Sequence, residues 1–336
     1  MFNLKILLKS LMVCAVALSF LPLMGDRVEA QEYTMTFRTV APEGTPWAKQ
    51  LKRIKKHWEK ESGGRLKVKV ILGRGNEKAL VRKCKSGEVQ GIGVSTGAMI
   101  GVAPELGVFE LPFLFKSPKE ADKIIDNVLF NSIEKLLQGY GFQLYIFSEN
   151  GNRNFAAKGK FVKTPGDLAT LKMRSQENWI HMDTYRALGG NPVSLSVAEV
   201  LTGLSTGQVD GFDNTPLFAF AASWYSKVDH WTVSDHIYQP AVIVFNKDWY
   251  NGLPDDLQKL LVSGRKVETE KGRKEIRKLN KGLLKNLEAK GVKMYKLTDA
   301  EKAAFAAKTK SVHTTFKKKK GCKKCKKILE VIEKNK

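Results

Sequence analysis

Two periodicities of apolar residues alternate along the chain after residue 31. Apolar and polar residues in strict alternation, or short apolar runs, predict strands, whereas apolar residues three or four positions apart predict helices. Strands are predicted at residues 33–40, 66–72, 91–94, 142–147, 171–174, 208–212 and 241–246. Helices are predicted at residues 47–62, 77–86, 118–138, 164–170, 179–188, 196–207, 254 to about 290, and 302–310. Such alternation is typical of an α/β fold with a mostly parallel sheet and covering helices.

Polar residues end two of the predicted strands between residues 164 and 216. Arg174 ends the strand 171–174, and Asp213 and Asn214 follow the strand 208–212. Open α/β sheets bind their ligands at the carboxyl ends of strands, so these side chains are expected at one edge. A guanidinium offers paired donors that match a carboxylate. The pattern indicates a site for a small anion, although position alone favours the alternative of a surface arginine after a strand.

Several motifs in the same segment follow one another in the order found in a known family. They are Pro165-Gly-Asp167-Leu168, Leu171-Lys-Met-Arg174, Ala187-Leu-Gly189, Asn191-Pro192, Glu199-Val200 and Asp210-Gly-Phe-Asp-Asn214. The segment resembles the ligand-binding core of the DctP-type extracytoplasmic receptors of TRAP transporters. Weaker similarity extends over most of the chain but not beyond about Thr315. The resemblance implies a two-lobed α/β fold of the periplasmic-binding-protein type, type II-like, with interleaved domains and a ligand cleft at the hinge.

The resemblance also implies roles for three polar residues. Arg174 is expected to clamp the ligand carboxylate, and Arg153 is expected to be a second arginine facing the ligand. A structural ion pair at the hinge is an almost equal alternative for Arg153. Asn214 is expected to donate to a carboxylate or accept from a hydroxyl, and capping of the turn before Pro216 is compatible with that role.

Four further residues are candidates for the pocket. Ser95 and Thr96 end a predicted strand and are placed to bind the far end of a ligand, although helix capping explains them equally well. Trp179 and Phe218 are candidate aromatic walls, with core packing as the alternative. Trp47 lies on the apolar stripe of its helix, which favours core packing for it.

The chain is expected to cross twice between two lobes. The first crossing is predicted at residues 148–153 and the return near residues 239–240. Lobe I then comprises residues 31–150 and about 240–280, and lobe II comprises residues 151–239 and about 281–315. Residues 316–336 form a basic C-terminal tail, most simply a solvated charge run, with binding to anionic lipid or polymer as the sharper alternative.

Residues 1–30 have the pattern of a signal peptide. Lys5 and Lys9 precede an apolar run at residues 11–23, and Val28-Glu-Ala30 resembles a cleavage site. An uncleaved anchor is the competing interpretation, but the run is shorter than the roughly 20 apolar residues of a membrane span. The sequence predicts export to the periplasm and no other spanning segment.

The formal net charge is +23, and +22 without residues 1–30, so the protein attracts anions in general. A nucleic-acid partner is not expected, because the export pattern opposes it and the lysines are spread over many helices. Cys322 and Cys325 form an isolated Cys-x-x-Cys pair, which in an oxidising compartment favours a local disulfide, and Cys84 is expected to be a buried or half-buried free thiol.

No arrangement of residues indicates an enzyme. The histidines are scattered, and phosphate loops, nucleophile elbows and second cysteine pairs are missing from the sequence, so we predict neither a cofactor nor a metal site. The prediction is a receptor that captures a small organic acid and delivers it to TRAP membrane permease subunits, as the resemblance implies. An ABC-type or chemosensory periplasmic binding protein for a small anionic or amphipathic ligand is the alternative.

Overall fold

The computed structural model describes residues 32–73 and 75–336, so the predicted signal peptide lies outside the described residues. The strands are β1 (Tyr33–Thr39), β2 (Leu66–Ile71), β3 (Gly91–Ser95), β4 (Phe142–Ala157), β5 (Met173–Ser175), β6 (Val193–Ser194), β7 (Gly211–Asn214), β8 (His230–Asn246) and β9 (Lys293–Lys296). The helices are α1 (Pro46–Glu61), α2 (Glu77–Lys85), α3 (Thr96–Met99), α4 (Pro118–Asp122), α5 (Phe130–Gly139), α6 (Trp179–Ala187), α7 (Val200–Thr206), α8 (Pro216–Ala221), α9 (Lys247–Asn251), α10 (Asp255–Val262), α11 (Arg265–Ala289), α12 (Asp299–Lys317) and α13 (Cys325–Asn335). Pro104–Glu110, Pro165–Thr170 and Trp224–Lys227 are 3-10 helices, and Lys123–Leu129 is a π-helical stretch.

Two long strands organise the sheet. Within the described residues nine strands form one sheet in the order β2-β1-β3-β8-β4-β7-β5-β6, with β9 paired to β8. β4 and β8 are 16 and 17 residues long and pair antiparallel along most of their length. β3 pairs with residues 241–245 of β8, whereas β7 pairs with residues 154–157 of β4. The smaller parallel groups therefore attach at opposite ends of the β4–β8 pair, and the predicted α/β fold is confirmed.

The pairing of β4 with β8 is irregular near its middle. The register shifts between Leu144 and Ile146, between Glu149 and Gly151, and between Arg153 and Phe155. Gly151 has φ 109°, and a Cβ atom there would lie 2.7 Å from the Asn280 amide nitrogen. Bulges of this kind bend a strand and redirect its side chains. The two predicted crossings, 148–153 and 239–240, lie in this irregular middle part.

Among the described residues, four apolar clusters form the core. Two pack against the β3-β1-β2 part, around Phe109 and Phe147 and around Trp58 and Phe245. The other two pack against the β7-β5-β6 part, with Phe212 among the residues of the third cluster and Phe155 in the fourth. Separate clusters at the two ends of the sheet are compatible with two lobes, whose boundaries stay a prediction.

The C-terminal segment is more ordered than its charge suggested. Eight of its ten lysines are exposed, as predicted for a solvated charge run, but the helix α13 was not predicted. Cys325, Ile328, Leu329 and Ile332 are buried on one side of α13 and join the first cluster, because their spacing places them on one helix face. The predicted disulfide between Cys322 and Cys325 is confirmed, and Cys84 is a buried free thiol as predicted.

The helices of residues 32–73 and 75–336 include none that combines the length and the apolar character required to cross a membrane.

Candidate functional site

An open cavity lies where the irregular middle of β4 and β8 meets the ends of β3, β5 and β7. Its volume is about 670 Å³, including the solvent at its mouth. The ends of three strands contribute Ser95, Arg174 and Asn214, and β4 contributes Arg153. Further lining residues are Thr39, Thr45, Trp47, Glu77, Asn150, Gln176, Val197, Leu217, Phe218 and Gln239. Four of the polar residues singled out in the sequence are thus brought together in one wall.

Arg174 lies on β5 and is 1% exposed. Its Nε and Nη2 groups donate to the Leu195 carbonyl oxygen at 3.0 and 2.8 Å, and its guanidinium lies 5.5 Å from the centre of the Trp224 ring. Among the described residues it has no acidic partner within 4.0 Å. Burial, followed by repulsion from Arg153, lowers the pKa of Arg174 to about 10. The cavity wall therefore contains a buried cation that makes no direct ion pair with the described residues, although Asp213 and Glu177 stabilise its charge from a distance.

Arg153 is equally buried but has an internal counter-ion. Its Nε donates to Asp213 Oδ2 at 2.6 Å, and its Nη2 donates to the Asp213 backbone carbonyl oxygen at 2.5 Å. Nη1 donates to Gln239 Oε1 at 2.9 Å. Although burial alone would lower it, the pKa of Arg153 is raised above its usual value, because Asp213 stabilises the charge. Arg153 thus forms a buried ion pair with Asp213 near the middle of β4, which was the structural alternative for this residue.

Asp213 is the centre of a buried polar network that the sequence did not reveal. Its carboxylate accepts hydrogen bonds from Arg153 and from the Tyr185 hydroxyl, the latter at 2.9 Å. His236 Nε2 lies 3.4 Å from Asp213 Oδ2. Burial would raise the pKa of the Asp213 carboxyl, but Arg153 and the hydrogen bond from His236 hold it well below its usual range. Asp213 is therefore an anion that pairs directly with Arg153 and stabilises the charge of Arg174 only from a distance.

The two side-chain atoms of Asn214, its amide oxygen and its amide nitrogen, have different roles. Its Oδ1 accepts from its neighbour Thr215 N at 2.8 Å and from Arg153 Nη1 at 3.5 Å. Its amide nitrogen makes no hydrogen bond to any residue of the described part of the chain. The turn contact expected before Pro216 is present, and the amide nitrogen is left to donate to a ligand.

A second polar group in the cavity is built around Glu77, which the sequence analysis did not select. Its carboxylate accepts from Ser95 N at 2.7 Å and from Ser95 Oγ at 2.9 Å. Gln176 Nε2 donates to Ser95 Oγ at 2.9 Å, and Ser95 Oγ also caps α3 by accepting from Ala98 N. Burial raises the pKa of the Glu77 carboxyl above its usual value despite the hydrogen bonds from Ser95. The position of Glu77 in the first turn of α2, after a strand end, was the available signal in the sequence.

Of the aromatic candidates and Thr96, some line the cavity and others are packed away from it. Phe218 lines the cavity and packs edge-on against Trp224 at 5.3 Å. Trp47 both lines the cavity and belongs to the second core cluster, and its Nε1 donates to the Glu149 carbonyl oxygen at 3.0 Å.

Thr96 is fully buried outside the cavity lining and donates to Glu110 and to the Pro240 carbonyl oxygen. Trp179 also lies outside the lining, stacked on Phe316. Thr96 and Trp179 therefore do not line the cavity.

The cavity has the chemistry of a binding site. Its polar groups are hydrogen-bond donors and acceptors around one uncompensated guanidinium, and apolar side chains complete the walls. Within the described ranges, His, Cys, Asp and Glu side chains nowhere form a group of three or more that is suited to a metal ion.

The sequence profile of the bacterial extracellular solute-binding proteins, family 7, known as DctP, matches residues 37–320. A solute-binding protein of Verminephrobacter eiseniae is 30% identical over 266 residues, which are 78% of each chain. The 2,3-diketo-L-gulonate-binding periplasmic protein YiaO of Escherichia coli is 26% identical over 250 residues, 74% of this chain and 76% of YiaO.

A solved structure shares the fold. The sugar acid binding protein DctPAm of Advenella mimigardefordensis, in complex with galactonate, superposes with a TM-score of 0.85 at 26% identity, covering 91% of this chain and 99% of DctPAm. These relatives are described as binding proteins and not as enzymes, in agreement with the prediction. The resemblance found in the motifs between residues 165 and 214 is confirmed, and the chain belongs to family 7 of the bacterial extracellular solute-binding proteins.

Proposed function

We propose that this protein captures a small organic acid in the cavity and delivers it to a TRAP-type membrane permease. Family membership supports a binding role. The relatives YiaO and DctPAm are described as proteins that bind diketo-gulonate and sugar acids, which are carboxylates.

The observation that carries the proposal is the uncompensated charge of Arg174. A buried cation without a counter-ion is costly, and its free energy falls when an anion is supplied. Arg153 has Asp213, whereas Arg174 has only the Leu195 carbonyl oxygen on two of its donor groups. Its Nη1 makes no hydrogen bond to the described residues and is available to a carboxylate oxygen. The ligand carboxylate would act as the missing counter-ion.

The remaining polar groups favour a hydroxylated acid over a plain one. Glu77 is a carboxyl in the wall that accepts hydrogen bonds, Gln176 and Gln239 carry both donors and acceptors, and Asn214 has a free amide nitrogen. Ionised Glu77 would repel a second carboxylate placed beside it, whereas a ligand hydroxyl there would donate to it. We infer a monocarboxylate whose far end carries hydroxyl groups, such as an aldonic acid.

Capture would involve closure of the two predicted lobes about the irregular middle of β4 and β8. Closure would exclude water from the carboxylate and Arg174, which strengthens their attraction. Residues 1–30 would direct the protein to the periplasm, and YiaO is likewise described as a periplasmic protein.

A thermal-shift screen tests the proposed ligand class. The protein is unfolded and refolded to remove ligand, then melted with galactonate, gluconate, succinate and uncharged galactose. A ligand at a hundred times its dissociation constant adds about 2.7 kcal/mol to stability, and we expect the melting temperature to rise by roughly 5 °C with a hydroxylated acid. Galactose should have no effect.

Two variants show whether the arginine is responsible. Arg174→Ala should abolish the shift, while Arg186→Ala, which removes an exposed arginine paired with Asp183, should keep it. A shift that survives in Arg174→Ala would contradict the carboxylate clamp. Delivery is tested separately by uptake of the identified acid into vesicles that contain a TRAP permease, since binding without stimulated uptake would contradict the permease alone.

A further inference from the structure

The last 21 residues concentrate positive charge on one part of the surface. Residues 316–336 hold ten lysines against two glutamates. Eight of these lysines have exposed side chains, and we call the six that precede Ile328 the basic C-terminal face: Lys318, Lys320, Lys323, Lys324, Lys326 and Lys327. Within the described residues only Lys326 of the six has a carboxylate within 4.0 Å, that of Glu330 at 3.9 Å. Most of this charge is therefore available to an external partner.

The fold holds the basic C-terminal face in a fixed place. α13 packs against α12, the 3-10 helix Pro104–Glu110 and the π-helical stretch Lys123–Leu129. Leu329 and Ile332 are fully buried in the first core cluster. The Cys322–Cys325 disulfide closes the turn that leads into the helix. The lysines are consequently presented from a folded element, unlike those of a flexible basic tail.

An apolar groove adjoins these lysines. It lies between α13 and the helical segment 128–136 and has a volume of about 690 Å³, including open solvent. Val128, Leu136, Ile328 and Val331 contribute apolar lining, and Lys324 and Lys327 of the basic C-terminal face line it as well. Ammonium groups beside an apolar groove match a molecule that joins an acidic headgroup to a hydrocarbon chain.

The lysines together with the apolar groove favour an anionic phospholipid over a soluble polyanion as the partner. A soluble polyanion would use the lysines but has no group that gains from the groove. An anionic phospholipid has both parts, and clusters of four to eight lysines are typical of proteins that bind acidic lipid surfaces. Snorkelling lysines keep their ammonium groups at the headgroups while their methylene chains cover apolar surface.

We propose that the basic C-terminal face binds the anionic phospholipid surface of a membrane, with the groove contacting lipid chains. The contact is peripheral and reversible, because it rests on surface charge and one short groove. It would hold the protein at the membrane independently of any organic acid in the cavity. Each lysine near an acidic lipid surface strengthens binding by a factor of about five.

Vesicle co-sedimentation of the full, acid-free protein tests the proposal. One set of vesicles is pure phosphatidylcholine and the other contains about one third phosphatidylglycerol. We expect binding to the acidic vesicles only, weakened by salt. Changing all six lysines of the basic C-terminal face to glutamine should weaken binding by at least roughly a hundredfold.

A matched variant separates this surface from the net charge of the protein. It changes six exposed lysines of α11 to glutamine: Lys266, Lys271, Lys274, Lys278, Lys281 and Lys285. This variant has the same net charge as the first and should bind acidic vesicles within about threefold of wild type. Equal losses in the two variants, or no binding by wild type, would overturn the proposal.

Groove and polymer controls complete the test. Val331→Asn makes the groove more polar without changing charge, and we expect weaker binding to vesicles but unchanged binding to heparin, a soluble polyanion. Unchanged vesicle binding in this variant would remove the groove from the proposal. Binding to heparin without binding to acidic vesicles would overturn the lipid in favour of a polymer.

Discussion

Arg153 and Arg174 are both buried, but their different partners give their charges opposite effects on stability. The Arg153–Asp213 pair has side chains 2% and 1% exposed, so each ion is desolvated and depends on the other. Removing one member of such a pair leaves a buried uncompensated charge, at a cost of about 3–5 kcal/mol. Arg174 has no carboxylate within 4.0 Å among the described residues, and burial and repulsion from Arg153 lower its pKa to about 10, so its charge opposes folding in the absence of a ligand.

The contrast predicts opposite effects of the same substitution on the free energy of unfolding. Arg153→Gln should destabilise the acid-free protein by about 3–5 kcal/mol, because Asp213 loses its counter-ion. Arg174→Gln should change stability by less than about 1 kcal/mol or increase it, because it removes an unpaired buried charge. Urea unfolding of both variants measures the difference. Equal destabilisation would show that Arg174 is compensated within the protein, against the basis of the proposed function.

The sequence predicted residues that line the cavity better than it predicted their partners. Arg174 and Asn214 were found because each ends a strand of a recognisable unit, so local pattern was enough. The Arg153–Asp213 contact joins residues 60 positions apart, and His181 meets Glu110 across 71 positions. Such pairs follow from the packing of distant elements, which periodicity does not encode. For the same reason Thr96 was selected by its position at a strand end, although its hydroxyl is used by Glu110.

At the scale of elements, repeating patterns predicted position well and length poorly. The first strands and helices lie where they were predicted, and the helix predicted at 302–310 lies within α12. The strand predicted at 142–147 is the first part of β4, which continues to Ala157. Residues 148–154 are polar and include Gly151, so they resemble a loop locally. They remain in the strand because β8 supplies their pairing partners.

The helix α13 was not predicted because its lysines indicated a solvated charge run. Its contribution to the stability of the protein is testable. Leu329 is fully buried, so Leu329→Ala should lower the free energy of unfolding by about 2–5 kcal/mol. Glu330→Ala, at an exposed neighbouring position, should change it by less than about 0.5 kcal/mol. Urea unfolding followed by circular dichroism measures both. A negligible effect of Leu329→Ala would mean that α13 is not docked on the first cluster in solution.

At the scale of the whole molecule, charge and cavity act on different steps of binding. The net charge of +23 creates a field that reaches beyond the cavity and attracts anions before contact. The screening length of this field falls from about 30 Å at 0.01 M salt to about 8 Å at 0.15 M. Contacts to Arg174 are buried and are screened much less. The rate of association should therefore depend on salt, and the rate of dissociation should not.

Stopped-flow fluorescence can separate these two rates, since Trp224 lies beside Arg174 and Trp47 lines the cavity. For an acid identified in the thermal screen, we expect the association rate constant to fall on the order of tenfold between 0.01 and 0.15 M salt. The dissociation rate constant should change by less than about twofold, because salt does not reach a buried carboxylate–guanidinium pair. The α11 variant with six lysines changed to glutamine should show a shallower salt dependence of association and the same dissociation. If salt instead accelerated dissociation, the ligand would be bound by solvated surface charges, and Arg174 would not be its partner.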